Sequence, residues 1–397
     1  MRAAPLAPLL LDWFASHKRD LPWRRTNDPY RIWLSEIMLQ QTQVATVIPY
    51  YERFLQRFPT LESLAAAPID DVLKLWAGLG YYSRARHLHR GAQTIVARFG
   101  GRVPETLEEI REVPGIGPYT AGAVLSIAYG KPVPLVDGNV ARVLSRVNCI
   151  AGDWRTGPCH RALWSAAGEL MNELERGERE DGETGGRRDG GKQLGCGRRE
   201  AGGRNRACAC RSIRNPQPEF RNPGDLNQSL MELGATLCRP RQPLCDECPV
   251  AAHCAARRTG RQEEFPTPMK KNKVPVWNLR AWIALDASGR VLLARRNSGG
   301  LFGGLWEVPT ERASAREKPR PPAAGHVIHV LSHRELRIEL CRTAEAIATA
   351  RLLSEDFTPW SGTYGSFKWF TLRAALSGRH VALSSLQKKI LSNIEQS

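Results

Sequence analysis

Four of the ten cysteines lie close together near residue 240 and have the spacing of a metal-binding loop. They are separated by six, two and five residues and are Cys238, Cys245, Cys248 and Cys254. Thiolates at such a spacing bind either zinc or a [4Fe–4S] cluster. Structural zinc sites usually pair two short cysteine knuckles, whereas this loop has one short pair flanked by wider gaps. The spacing therefore favours an iron–sulfur cluster over zinc.

A glycine-containing turn between two helical patterns has the residues of a phosphate-binding hairpin, Val113-Pro114-Gly115-Ile116-Gly117-Pro118-Tyr119. Gly115 and Gly117 let backbone N–H groups point outward at the start of a helix, where the partial positive charge suits phosphate. A bare G-x-G would indicate an ordinary helix–helix turn, but the full pattern favours a helix-hairpin-helix contact with DNA. Arg239 and Arg241, between the first two clustered cysteines, are also placed to meet phosphate.

Two carboxylates occupy positions where an acid or a base could act. Asp137 stands in Val136-Asp137-Gly138-Asn139-Val140, at the predicted entry to a helix, and simple capping of that helix would also account for it. Glu36 stands in a predicted helix between apolar residues, and a surface position on an amphipathic helix would also account for it. The residues alone leave both alternatives open.

The elements that must position these residues are helices. Apolar residues recur at helical spacing over Ser35–Phe58, and prolines and glycines separate further short helical patterns. No alternation typical of strands occurs in residues 1–174, which predicts an all-α region. The helical pattern returns at Asp225–Leu237, directly before the first clustered cysteine. We therefore predict one mostly α catalytic region formed by residues 1–174 and 222–254.

Two segments differ from this pattern in composition. Residues 175–221 contain ten glycines and only three large apolar residues, too few to offset the entropy lost on ordering the chain. This composition predicts a disordered insertion rich in glycine and arginine. Residues 255–276 are basic and contain several prolines, which predicts a basic linker.

After the linker the periodicity of the apolar residues changes. Leu279–Leu285 and Val291–Ala294 flank a four-residue turn that ends in glycine, which predicts a β-hairpin. Glu335–Leu340 alternates between polar and apolar residues, and Phe367–Leu372 is another candidate strand. Residues 277–397 are therefore predicted to form a small α+β domain.

The charge of the chain indicates a polyanionic partner. The 57 basic and 40 acidic residues give a formal net charge of +17, which favours nucleic acid first and a membrane surface second. No stretch approaches the roughly 20 apolar residues of a membrane span. The apolar start Met1–Leu11 ends at Asp12 without a cleavage site, so we expect a cytoplasmic protein of bacterial type without a signal peptide.

Taken together, these motifs resemble the adenine DNA glycosylases of the MutY family, in the helix-hairpin-helix superfamily that includes endonuclease III. The resemblance covers residues 12–174 and 224–254 and continues more weakly to the end. It is carried by the cysteine loop, the glycine hairpin and four further motifs, namely Leu21-Pro22-Trp23-Arg24, Glu36 with Leu39-Gln40-Gln41-Thr42-Gln43, Gly78-Leu79-Gly80-Tyr81-Tyr82, and Val136-Asp137-Gly138-Asn139. It implies a [4Fe–4S] cluster on the four cysteines.

The resemblance implies that Glu36 protonates adenine at N7 and that Asp137 stabilises the sugar cation. An apolar pocket raises the pKa of a carboxyl group, as an acid requires, and a helix N-terminus keeps Asp137 ionised. Tyr119 and Asn139 match positions that orient these groups. Bifunctional relatives such as endonuclease III carry a lysine at position 119, whose amine forms a Schiff base. A phenol cannot form an imine, so Tyr119 predicts a monofunctional glycosylase.

The resemblance also implies residues that contact DNA. Gln41 and Tyr81 match positions that enter the duplex beside a flipped adenine, although plain packing is the alternative for both. For Tyr82 we retain the packing interpretation. Arg24 and Gln228 match positions near the adenine pocket.

The C-terminal region resembles the Nudix-like module with which the family recognises 8-oxoguanine. Leu301–Pro309 matches the loop of that module, and the family's Phe-Ser-His recognition loop corresponds here to residues 331–333. Ser332 and His333 are retained, and we assign them to lesion recognition, whereas Leu331 replaces the aromatic residue. Residues 315–319 lack the metal-binding carboxylates of a working Nudix hydrolase, so pyrophosphate hydrolysis is not expected.

The implied function is excision of adenine paired with 8-oxoguanine or guanine in duplex DNA, by a monomeric enzyme of base excision repair. One alternative is an iron–sulfur DNA-binding protein of the same fold whose activity is impaired by the insertion at residues 175–221. That insertion is also consistent with a flexible loop, a basic DNA tether or translated sequence that the mature protein lacks.

Overall fold

The computed structural model describes residues 5–185, 222–267, 274–313, 323–344, 357, 359–378 and 381–395. The chain divides into two compact units. The first comprises Met1–Ile32, Glu105–Leu107 and Gly117–Met269, and the second comprises Trp33–Pro104, Glu108–Ile116 and Lys270–Ser397.

The described residues contain α-helices throughout the first two thirds of the chain and strands after residue 275. The helices are α1 (Leu6–His17), α2 (Pro29–Leu39), α3 (Val44–Arg57), α4 (Leu61–Ala65), α5 (Ile69–Trp76), α6 (Ser83–Phe99), α7 (Leu107–Ile110), α8 (Pro118–Tyr129), α9 (Gly138–Asn148), α10 (Gly157–Gly185), α11 (Pro223–Thr236), α12 (Ala255–Arg258), α13 (Leu372–Leu376) and α14 (Ser385–Glu395). The strands are β1 (Val276–Leu285), β2 (Arg290–Arg296), β3 (Trp306–Glu307), β4 (Thr310–Arg312), β5 (Ala323–Leu331), β6 (Arg334–Ala344) and β7 (Tyr364–Thr371). The predicted fold class, mostly α in the first part of the chain and α+β in the C-terminal part, is thus confirmed.

The first unit is built around a core formed by α1, α8, α9, α10 and α11. Its buried apolar side chains include Phe14, Val140, Leu163 and Leu230. The helix ends follow local sequence rules. Pro118 occupies the first turn of α8, where a missing N–H has no cost, and Gly130 ends that helix in the left-handed conformation.

The helical part of the second unit packs aromatic side chains against one another. Phe54 lies 5.1 Å from Phe58 and 6.1 Å from Trp76 between ring centroids, in edge-to-face geometry. The helical pattern over Ser35–Phe58 does not form one helix, because α2 ends at Leu39 and α3 begins at Val44. Gln41 in this break has a positive φ of 56°, which an α-helix cannot contain.

The strands of the second unit form a mixed sheet with the order β3-β2-β1-β6-β5, in which β4 also pairs with β1 and β7 with β2. The predicted hairpin is confirmed, since β1 and β2 pair antiparallel. Strand β1 pairs in parallel with β6. Six consecutive residues of β1 are buried, as expected for a strand in the middle of a sheet covered on both faces. Apolar residues of α14 contribute to this core.

Two segments differ from the composition-based expectations. Helix α10 continues to Gly185, so residues 175–185 are helical rather than disordered, and residues 186–221 lie outside the described chain. Residues 255–267 are not an extended linker. They contain α12, and they bury Ala256 and Phe265, whose apolar side chains drive that packing. No helix among the described residues is long and apolar enough to cross a membrane.

Gly122 in α8 lies close to the backbone of the segment before α9, so a side chain at this position is expected to destabilise the protein. A Cβ at this glycine would overlap the Pro134 carbonyl oxygen and lie 3.1 Å from its carbonyl carbon. Gly122→Ala is therefore expected to destabilise the protein by about 1–3 kcal/mol through overpacking, although alanine favours helix formation. Denaturant unfolding followed by circular dichroism measures this.

Gly168 in α10 provides the matched control, because a Cβ there meets no atom within 4 Å. Gly168→Ala is expected to be neutral or to stabilise by up to about 1 kcal/mol. Equal effects of the two substitutions would contradict the proposed backbone approach.

Candidate functional site

Asp137 is held at the start of α9 by hydrogen bonds to both carboxylate oxygens. The Val140 backbone N–H donates to Oδ1 at 2.7 Å, and Asn139 Nδ2 donates to Oδ2 at 3.0 Å. The carboxylate is thus the N-cap of the helix, but capping does not use all of its lone pairs. Burial raises the pKa of Asp137, whereas the hydrogen bonds from Val140 and Asn139 lower it. The helix N-terminus alone does not predict this upward shift.

Arg142 connects the Asp137 cap to the cysteine loop. Its Nη2 donates to Asn139 Oδ1 at 2.8 Å and to the Gly234 carbonyl at 2.7 Å. Its Nε donates to the Cys238 carbonyl at 2.7 Å. Asn139 therefore accepts from Arg142 while it donates to Asp137, which fixes the orientation of its amide. Sequence reasoning missed Arg142, although it lies one helical turn after Gly138.

The four clustered cysteines line one cavity of the first unit, together with apolar side chains from α9 and α11 such as Val143 and Leu233. Arg146 Nη1 lies 3.3 Å from Cys238 Sγ, and the other nitrogens of this guanidinium donate to backbone carbonyls around it. None of these four cysteines forms a disulfide bond with another described cysteine. Among the described residues, no three histidine, cysteine, aspartate or glutamate side chains converge closely enough to hold a single metal ion.

A buried carboxylate that sequence reasoning missed organises Arg24 and Gln228. The Glu232 side chain is 1% exposed and accepts hydrogen bonds from Arg19 Nε at 2.6 Å and Arg24 Nη2 at 2.9 Å. Arg24 Nε also donates to Gln228 Oε1 at 3.2 Å, so the structure brings Arg24 and Gln228 together. Although burial raises the pKa of Glu232, hydrogen bonds from Arg19 and Arg24 outweigh it and lower that pKa to about 2. The sequence signal for Glu232 was its position four residues after Gln228, which makes the two side chains neighbours on one face of α11.

Tyr119 is half-buried near the start of α8, where its hydroxyl lies 3.5 Å from Met231 Sδ. The hairpin before it is exposed at both Gly115 and Gly117. Gly115 has a φ of +88°, and a Cβ there would come within 2.6 Å of His87 Cβ. Glycine is therefore required at position 115 by both backbone conformation and space.

Glu36 belongs to the second unit and is only 5% exposed. It lies on α2 within a run of buried residues that includes Trp33, Leu34 and Ile37. The alternative of a surface glutamate on an amphipathic helix is therefore wrong. An ionisable side chain in such a surrounding must have a polar partner or a functional reason to be there.

Gln41 and Tyr81 share an unusual backbone geometry. Both are exposed residues with positive φ, of 56° and 47°. The Tyr81 hydroxyl donates to Ser332 Oγ at 2.7 Å, and Ser332 Oγ lies 3.3 Å from His333 Nδ1. The structure therefore brings one predicted duplex-entering residue together with the two residues assigned to lesion recognition. Tyr82 is buried and its hydroxyl accepts from the Gly78 N–H, consistent with packing.

Comparison with known proteins identifies two family models along the chain. Residues 34–167 match the HhH-GPD superfamily of base excision DNA repair proteins, and residues 280–393 match the NUDIX domain. A human protein named adenine DNA glycosylase is 34% identical over 404 residues, which cover 83% of this chain and 65% of the human one. The rat protein of the same name is 33% identical, and the match covers 98% of this chain and 77% of the rat protein. This chain thus spans about two thirds to three quarters of these relatives.

Among solved structures, the chain is similar to that of a thermostable thymine-DNA glycosylase. The match covers 64% of this chain and 95% of the glycosylase chain, with 27% sequence identity and a TM-score of 0.47.

The low pKa of Glu232 predicts a pH-dependent contribution to stability. Because folding lowers this pKa from 4.5 to about 2, the stabilisation is complete above pH 4.5 and is lost as the pH falls towards 2. Glu232→Gln is expected to lower the free energy of unfolding by about 3 kcal/mol at neutral pH, and by progressively less in acid. Denaturant titrations at a series of pH values measure the difference.

Asp20→Asn is the control, because Asp20 forms an ion pair with Arg25 in which both side chains are largely exposed. Such pairs are screened by solvent, so no measurable loss of stability is expected. A loss in Glu232→Gln that does not change with pH would contradict the role of the ionised carboxylate.

Proposed function

Because the chain belongs to the adenine DNA glycosylase family, we propose that it removes adenine paired with 8-oxoguanine or guanine from duplex DNA, acting as a monomer. The observation that carries this proposal is the Asp137 carboxylate, held by Val140 and Asn139 at the start of α9. A carboxylate oriented by two donors and partly desolvated is suited to stabilise a sugar cation.

The proposed reaction uses two carboxyl groups in different surroundings. Once the adenine has left the stack, the Glu36 carboxyl donates its proton to N7, and the bond between N9 and C1′ breaks as the base leaves. Asp137 stabilises the resulting positive charge on the sugar. Water then adds to C1′, and its proton returns to the Glu36 carboxylate. The burial of Glu36 supports this role, because a surface glutamate would have no need of an apolar surrounding.

Tyr119 supports hydrolysis without strand cleavage. Schiff-base chemistry at this position requires an amine, which a phenol does not provide. We propose a monofunctional glycosylase, in which borohydride traps no covalent protein–DNA adduct at position 119.

We further propose a [4Fe–4S] cluster on Cys238, Cys245, Cys248 and Cys254. The four thiols line one largely apolar cavity, and Arg146 provides a donor to Cys238 Sγ, as thiolate ligands of a negatively charged cluster require. These four thiols would hold the cluster as its ligands. When bound, it supplies a rigid anchor for the loop. The described residues of that loop include the exposed Arg239 and Arg241, which are available to DNA phosphates.

Recognition of 8-oxoguanine is assigned to Ser332 and His333. Both are exposed at the turn between β5 and β6, and the hydrogen bond from Tyr81 to Ser332 supports a role beside the duplex. Ser332 Oγ both donates and accepts, so it can pair with a base edge that has gained a carbonyl oxygen and an N–H. The segment at residues 315–319, whose composition argues against pyrophosphate hydrolysis, lies outside the described residues.

Single-turnover release of adenine tests this function directly. We expect release from duplexes with adenine opposite 8-oxoguanine or guanine, and none from adenine opposite thymine. Glu36→Gln and Asp137→Asn are expected to slow release by about two to four orders of magnitude, because each removes a group that acts in the transition state. Ser332→Ala is expected to slow release opposite 8-oxoguanine more than opposite guanine.

The control for that experiment is cluster content. The protein is purified anaerobically and its iron and acid-labile sulfide are measured, so that loss of the cluster is not mistaken for loss of a catalytic group. A cluster-loaded wild-type protein that binds the duplex but releases no adenine would contradict the proposed activity and would favour the alternative of a DNA-binding protein of the same fold.

The hydrogen bond from Asn139 predicts a shift in pH dependence. Asn139→Ala removes a donor that lowers the pKa of Asp137, so that pKa rises further. Because the reaction uses the carboxylate form, the acid limb of the single-turnover rate profile is expected to move to higher pH. Asn148→Ala, at the other end of the same helix, is the control. An unchanged acid limb in Asn139→Ala would argue against this role of Asp137.

A further inference from the structure

The guanidinium of Arg84 is buried at the start of α6, where two turns of the second unit meet it. The residue is 7% exposed. Its Nη1 donates to the carbonyl oxygens of Ile37 at 2.8 Å and Met38 at 2.9 Å, and also to that of Gln40. These carbonyls belong to the last turn of α2 and the residue after it, where the helix offers them no donor. Arg84 therefore caps the C-terminus of the helix that carries Glu36.

The other terminal nitrogen of Arg84 reaches the second turn. Nη2 lies 3.3 Å from the carbonyl oxygens of both Leu79 and Gly80, and 3.2 Å from Thr42 Oγ1. Six oxygen atoms thus surround two nitrogens that carry four N–H groups, so some of these hydrogen bonds are shared. One side chain connects the turn that contains Gln41 to the turn that contains Tyr81.

These two turns need such support, because Gln41 and Tyr81 both have positive φ and neither is a glycine. A non-glycine residue in this conformation persists only where the surrounding structure enforces it. The guanidinium also lies 5.4 Å from the Tyr81 ring centroid and 5.5 Å from that of Trp76, within range of cation–π attraction. Burial lowers the pKa of Arg84 to about 10, so the group is still charged at neutral pH.

We propose that Arg84 is a positioning residue that holds Gln41 and Tyr81 at a fixed separation, so that both side chains enter the duplex together when adenine leaves the stack. This inference rests on the proposed function. Arg84 would thus contribute to base flipping through Gln41 and Tyr81, without contacting DNA itself. The same guanidinium fixes the end of α2, so the position of Glu36 depends on it as well.

Lysine cannot replace Arg84 in this role. Its single nitrogen carries three donors at one point, whereas the guanidinium presents two terminal nitrogens in a fixed planar fork. Arg84→Lys therefore keeps the charge and most of the aliphatic stem but cannot serve both turns at once. Arg86→Lys is the matched control, because Arg86 lies on the same helix and donates to the Gly303 carbonyl rather than to either turn.

The experiment uses the full-length, cluster-loaded protein and a duplex with 2-aminopurine in place of the adenine opposite 8-oxoguanine. The fluorescence of 2-aminopurine rises when the base leaves the stack. In Arg84→Lys we expect a smaller rise and roughly 10- to 100-fold slower single-turnover release of adenine, the effect of a small misplacement. Affinity for a fully matched duplex is expected to stay unchanged, and Arg86→Lys is expected to behave like the wild type.

A mutant cycle separates positioning from general loss of structure. Gln41→Ala should slow adenine release strongly when Arg84 is present and add little in the Arg84→Lys background, because the two residues act through one step. Additive effects, wild-type flipping in Arg84→Lys, or an equal loss of affinity for matched and mispaired duplexes would each overturn the inference. A wild-type protein that neither flips the base nor releases adenine would instead overturn the proposed function.

Discussion

A backbone carbonyl group withdrawn from water must find a donor, and this protein meets that requirement with arginine side chains at the ends of helices and in the loops that follow. Arg84 serves the end of α2, and Arg142 serves the end of α11 and the first cysteine. Arg146 serves the carbonyls of the next two residues in the cysteine loop. Each of these loops carries residues assigned to chemistry or DNA binding. The conformation of these loops therefore depends on guanidinium groups that are buried, as in Arg84 and Arg146, or half-buried, as in Arg142.

Because several arginines are buried, the net charge overstates the number of basic residues that are available to DNA. The formal value of +17 is the largest single signal for a polyanionic partner, but it counts every arginine equally. Arg84 and Arg146 are buried among carbonyls, and Arg296 is buried in an ion pair with Glu307. A buried cation that is paired with a carboxylate contributes little to the potential at the surface, and one whose donors are used by carbonyl groups is not available to contact a phosphate. Contacts with DNA phosphates must come instead from exposed residues, such as Arg239 and Arg241.

Local signals in the sequence predicted the local features of the structure. The Asp137 cap, the glycine at position 115 and the hairpin of β1 and β2 each follow from a few neighbouring residues. The break at Gln41 was missed, because apolar spacing continues on both sides of it and the interruption depends on Arg84, more than 40 residues away. Glu232 was missed for the same reason.

The partners of Glu232, Arg19 and Arg24, are distant in sequence. A glutamate on an apolar helix does not indicate which charged residues it will contact.

Composition was misleading in two places. The glycines of residues 175–185 did not prevent a helix that continues from an apolar face, and the basic residues of 255–267 concealed the buried Phe265. The burial of Phe265 depends on packing against residues that are distant in sequence, such as Cys149, which composition does not reveal.

The hydrogen bond between Tyr81 and Ser332 shows how a weak contact suits a recognition role. Both groups are exposed, and a single exposed O–H···O bond contributes only about 0.5–1.5 kcal/mol net. Such a bond is too weak to lock two side chains in place. In the proposed recognition of 8-oxoguanine it would keep each hydroxyl oriented until a base edge replaces its partner. Exchange of one hydrogen bond for another costs little free energy, so under this proposal the energy of binding the lesion would not be consumed in breaking a strong contact. A buried ion pair at the same place, such as that between Arg296 and Glu307, could not be exchanged in this way, because each charge left behind would lack a partner.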